Sequence, residues 1–145
     1  MKPAQLVLGF VCAALAVIFF HQAVITYYNG MGWTPNAAFR QTPVAPWGVP
    51  AMWNSAFWGG MWGILYAMIV ERRPAGMPLW LFTILYCLLL PLVVGAWMVV
   101  PWIKGLPLFA NGNTTAMARS VGIYVAWGFG LALFWRGLPA LFRRG

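Results

Sequence analysis

Acidic side chains are almost absent: Glu71 is the only side-chain carboxylate in 145 residues, and His21 is the only imidazole. Catalysis by paired carboxylates, or by a nucleophile backed by a base and an orienting acid, lacks its components within one chain, so an enzyme is not expected. Cysteine is equally scarce. Cys12 and Cys87 each sit inside an apolar run and in no metal-ligand spacing, so they read as small hydrophobes, and neither a metal nor a resident cofactor is expected. Charge is also low, at 7% of residues against about 25% in soluble domains. Such a chain cannot present an ordinary water-facing surface.

What the sequence has instead is apolar and aromatic bulk, 63% hydrophobic and 17% aromatic with ten Trp. Indole rings favour the membrane interface, where an apolar body and a polar N–H are both accommodated. The net charge of +8 comes from nine basic residues scattered between apolar runs. They make no basic face, so the expected partner is the lipid bilayer and not nucleic acid.

A helix needs about 20 apolar residues to cross about 30 Å of hydrocarbon. Four runs meet this need, at 4–28, 49–70, 78–100 and 117–136, the last with a continuation to 142 past Pro139. Continuous apolarity, without dyad alternation, excludes a membrane barrel. The expectation is an all-α, polytopic four-transmembrane-helix bundle forming a single domain over 1–145. The first run imitates a signal peptide, but His21-Gln22 follow directly and no small-x-small cleavage site appears, so it reads as a retained helix.

Basic residues are retained on the cytoplasmic side of a membrane. Lys2, Arg72, Arg73, Arg136, Arg143 and Arg144 fall at the ends or between the second and third runs, against Arg40, Lys104 and Arg119 on the other side. Both termini are therefore expected in the cytoplasm. The long outer loop 29–48 carries Pro35, Pro43 and Pro46 with Trp33 and Trp47, and should resist regular structure while lying against the outer headgroups. The short turn Glu71 to Gly76 makes the second and third helices antiparallel neighbours. Pro91 should bend the third helix by clashing with the Cys87 carbonyl.

A shift of 65 positions aligns Ala51-Met52, Ser55, Trp62-Gly63, Ala67 and Pro74 with Ala116-Met117, Ser120, Trp127-Gly128, Ala132 and Pro139. Such a repeat would make the protein two tandem helical hairpins related by a pseudo-two-fold axis along the membrane normal.

Small residues recur at four-residue spacing as Ser55, Gly59, Gly63 and Ala67 in the second helix, echoed by Gly122, Ala126 and Gly130 in the fourth. Because lipid supplies no hydrophobic drive between helices, such faces allow close approach and dense van der Waals contact. They fit either intrachain packing or the seam of a homo-oligomer.

Counting inward from the outer helix ends at about 1.5 Å per residue places His21, Gln22, Asn54, Ser55 and Arg119 in one shallow polar layer. Ionisable residues at such depth are costly and usually face the bundle interior or water. Arg119 has no acid nearby in the sequence, and Glu71 belongs at the opposite surface. The arginine invites an anionic ligand, a lipid phosphate or a partner subunit; the bland alternative has Arg119 snorkelling to the headgroups while Asn113 or Thr115 caps its helix. The leading expectation is a non-enzymatic membrane protein that binds or passes a small, anionic solute through this outward-facing layer. The alternatives are an accessory or assembly subunit of a larger membrane complex, and a binder of a quinone or tetrapyrrole held among Trp58, Trp62, Tyr66, Tyr86, Trp97 and Trp127.

The stretch Ser55 to Gly63, the early His21-Gln22 pair and the Pro-rich outer loop together resemble small four-helix inner-membrane proteins of proteobacteria. The resemblance spans most of the chain. It implies a multi-pass protein of the bacterial inner membrane and attaches no reaction to it.

Overall fold

The computed structural model describes residues 3–142, with side chains as far as Ala140. Lys2, Arg143 and Arg144, counted above for orientation, lie outside the described residues. The chain forms four helices: α1 over Pro3–Gly30, α2 over Ala51–Ile69, α3 over Leu79–Ile103 and α4 over Thr114–Phe142. Three of them, α1, α3 and α4, are long and apolar enough to cross a membrane. α2 has 19 residues, but Asn54, Ser55, three Trp and three Gly dilute its apolarity.

α1 and α4 run past the apolar stretches that announce them. Main-chain bonding carries α1 through Asn29, and Asn113 caps α4 by accepting the amide of Ala116 at 2.9 Å, which satisfies one of the free N–H groups of the first turn. Two helices contain π-helical turns, Val17–His21 in α1 and Leu88–Val99 in α3. The second includes Pro91, where a wider turn draws the preceding carbonyls away from the ring they would otherwise strike.

The outer loop gains a little order of its own. Strands β1, Pro43–Val44, and β2, Val49–Pro50, pair antiparallel around Trp47. Pro43 and Pro50, paired at the open end, lack the N–H a longer ladder requires. The loop also finishes α2, because the carbonyls of Thr42 and Arg40 accept the amides of Ala51 and Met52 at 3.0 Å each.

Close backbone approaches join α1 to α2, and α4 to both α1 and α3. At the α1/α2 crossing Gly63 lies on Gly9 so tightly that a Cβ at either would strike the other's carbonyl oxygen. At the α3/α4 crossing a Cβ on Gly128 would stand 2.8 Å from the Cα of Ile84. α2 and α3 are joined differently, through large side chains. Tyr86 donates its hydroxyl to the Trp62 carbonyl at 2.6 Å, and Tyr66 shares a 2.7 Å hydrogen bond with Thr83. Tyr66 also meets Tyr86 and Trp135 with ring centroids 5.3 and 5.4 Å apart. The short turn thus makes these two helices sequence neighbours without bringing their backbones together. Cys12 and Cys87 are both fully buried free thiols in this core.

Exposed aromatics cover the outside, among them Trp47 and Trp102 at one end of the bundle and Trp80 at the other. That is where interfacial indoles belong.

Candidate functional site

His21 ends the π turn of α1, and Gln22 follows it, buried. A wide turn rotates the residues after it relative to an unbroken α-helix, which is one way a helix re-aims polar groups. The Gln22 amide nitrogen stands 3.4 Å from Nδ1 of His21, and its carbonyl oxygen accepts the Phe39 amide of the outer loop at 2.8 Å. Phe39 has a left-handed backbone, φ 53°, which an L-residue adopts only when its surroundings hold it there. Gln22 is therefore a latch between α1 and the outer loop. Replacing it by Leu should free that amide and speed its hydrogen exchange about five- to tenfold, for a bond worth about 1 kcal/mol; unchanged exchange at Phe39 would refute the latch.

The rest of the polar layer does not join this pair. Ser55 donates to the carbonyl of Ala51 at 2.9 Å, and Asn54 is half-buried on α2. The His21 ring packs edge-on against Tyr124 at 6.0 Å. No hydrogen bond among the described residues joins Asn54, Ser55 or Arg119 to His21 or Gln22, so the five do not form one bonded cluster.

Arg119 gathers a different set. Its guanidinium donates to the Trp33 carbonyl at 2.7 Å and lines a cleft of about 310 Å³ with Tyr28, Thr34, Asn36 and Ser120. The Thr34 hydroxyl accepts the Asn36 amide at 3.3 Å, a turn that holds both residues at the mouth. No carboxylate lines the cleft. Thr34 and Asn36 carried no signal of their own in the sequence, and nothing there said that the loop after α1 would meet α4.

The small-residue faces lie inside the chain. Gly59 and Gly63 face α1, where Cβ atoms would come within 2.5 Å of Val17 Cγ2 and Ala13 Cβ respectively, and Ala67 lies beside Gly9. On α4, Gly122 faces the Tyr28 hydroxyl and Gly130 the Phe20 ring, while Ala126 is half-buried between them in sequence. The aromatic set proposed for a flat ligand is engaged in intrachain contacts, many with residues outside the set, and Trp58 among them is exposed. Trp127, for example, donates its indole N–H to the Ala13 carbonyl at 3.0 Å. Trp97 packs against Phe109 and keeps a buried N–H without an acceptor among the described residues.

Three helices of membrane-crossing length and a lipid-compatible exterior are consistent with a helical membrane protein. Comparison with known proteins finds no matching family model, no matching curated protein and no matching solved structure. The site therefore stands on its own geometry.

Proposed function

We propose that this is a non-enzymatic, multi-pass protein of the bacterial inner membrane that binds a small anionic group in the outward-facing cleft at Arg119. The observation that carries the reading is the guanidinium of a half-buried arginine whose one hydrogen bond among the described residues goes to a backbone carbonyl, in a cleft with hydroxyl and amide groups and no carboxylate. Arginine's planar fork is suited to carboxylate and phosphate, and neutralising it is worth more near lipid than in water. Binding is favoured over passage, because Trp127, Leu131 and Tyr66 are large side chains buried in the core between the helices.

In this reading α2 is a fourth span. Its 19 residues reach about 28 Å at 1.5 Å per residue, and its small residues Gly59, Gly60, Gly63 and Ala67 lie against α1. The positive-inside bias then puts both termini in the cytoplasm. A tandem-hairpin ancestry is supported by equivalent local geometry at the repeat positions. Ser55 and Ser120 each donate to the carbonyl four residues back at 2.9 Å, and Gly63 and Gly128 each sit on the backbone of the preceding helix.

Native mass spectrometry of the detergent-solubilised protein with inorganic phosphate, or with short-chain phosphatidylglycerol, tests the proposal. Arg119→Gln should weaken whichever anion binds by about tenfold, the loss of one charge-assisted bond. Equal binding by Arg119→Gln and the natural chain would refute it. Stoichiometric co-purification of other polypeptides through α2, with no anion bound, would instead favour the accessory-subunit alternative.

A further inference from the structure

At the end of the bundle opposite Arg119, a second cleft of about 640 Å³ opens between the α2–α3 turn and the ends of α1 and α4. Its polar lining includes Gln5, Glu71, Arg73, Trp135 and Arg136. Leu8, Leu79, Pro139 and Ala140 supply its apolar lining. The chain's only side-chain carboxylate thus shares one cleft with two guanidinium groups.

Opposite charges so placed ordinarily close on each other, yet no ion pair forms among the described residues. Arg73 turns instead to the Val70 carbonyl at 3.4 Å. Arg72, the other basic residue of the turn, donates to the Met68 carbonyl at 3.0 Å and does not line the cleft. A carboxylate and two guanidinium groups that line one cleft together with Leu8 and Leu79, and form no ion pair among the described residues, suit a ligand that carries both charges and a hydrocarbon tail.

We infer that this cleft binds the headgroup of a zwitterionic phospholipid with a primary ammonium, of the phosphatidylethanolamine class. The phosphate lies between Arg73 and Arg136, and the ammonium, two carbons away, donates to Glu71. The acyl chains run past Leu8 and Leu79 into the bilayer. An anionic lipid satisfies the arginines but is repelled by Glu71, so the lone carboxylate sets headgroup preference and not mere attraction to lipid. Nothing here depends on the Arg119 cleft.

The test is competition between short-chain phosphatidylethanolamine and phosphatidylglycerol on the detergent-solubilised full chain, read by native mass spectrometry, with soluble phosphoethanolamine as a third probe. The natural chain should prefer the ethanolamine lipid by about tenfold. Glu71→Gln should abolish the preference while retaining phosphatidylglycerol, and Arg73→Gln with Arg136→Gln should weaken both lipids. Arg72→Gln should change nothing. Three results would overturn the inference: equal binding of the two lipids by the natural chain, a preference that survives Glu71→Gln, or phosphoethanolamine binding as tightly as the lipid. Loss of both lipids in Glu71→Gln would also count against it, because the anionic lipid does not need the carboxylate.

Discussion

Gly63→Leu should prevent the bundle from assembling. A Cβ alone at this position meets the Gly9 carbonyl oxygen and comes 2.8 Å from its carbonyl carbon. Both are backbone atoms that cannot rotate away, so α1 and α2 must separate. Overpacking a well-filled core costs about 1–3 kcal/mol when side chains yield, and here the helix axes must yield instead, so a cost above about 3 kcal/mol is expected. Small-residue contact is what holds two helices together where lipid offers no hydrophobic drive, and separation forfeits it along the whole stripe from Gly59 to Ala67.

Gly59→Leu should cost less, because its nearest obstacle is the Val17 side chain at 2.5 Å, which is stiff in a helix but is not main chain. Leu89→Ala should change stability by less than about 0.5 kcal/mol, since Leu89 is 62% exposed to the surroundings of the bundle. Denaturation in mixed micelles with rising dodecyl sulfate orders the three variants. If Gly63→Leu unfolds at the same fraction of dodecyl sulfate as Leu89→Ala, the small-face argument is wrong.

Trp127→Ala should be the most damaging truncation, at about 3–5 kcal/mol. The side chain is 2% exposed and belongs to α4, yet its indole bonds the Ala13 carbonyl of α1 and its ring lies against Gly59 of α2. One residue therefore joins three helices, and its removal leaves a cavity none of them can close alone. Trp127→Phe separates the two contributions. It keeps most of the volume and loses the hydrogen bond, for which about 1 kcal/mol is expected. A loss from Trp127→Ala no larger than that from Trp127→Phe would mean that the junction is held by the hydrogen bond and not by packing.

The small faces illustrate how far the sequence reaches. The spacing Gly59, Gly63, Ala67 was legible as a close-approach surface, but its partner was not named. The matching positions Gly9, Ala13 and Val17 in α1 stand at the same interval, and laying one pattern over the other was the available signal. The polar layer shows the converse. Depth counting placed His21, Gln22, Asn54, Ser55 and Arg119 at similar heights, and height says nothing of azimuth. Gln22 went to the outer loop, Arg119 to a cleft built partly from that loop, and Ser55 to its own helix. The left-handed turn over Phe109, Ala110 and Asn111 was signalled only at its end, by Asn111-Gly112, because Phe and Ala carry no preference for positive φ.

Local composition determined the long helices, the scarcity of acid and the places where prolines interrupt bonding, since each depends on residues close together in the chain. Tertiary structure decided which helix faces meet, why α2 and α3 are held apart by tyrosines, and what surrounds Arg119 and Glu71. The reason is physical: in a chain this apolar every helix face is compatible with oil, so hydropathy has no inward direction to report. Only the fit of one surface to another can choose.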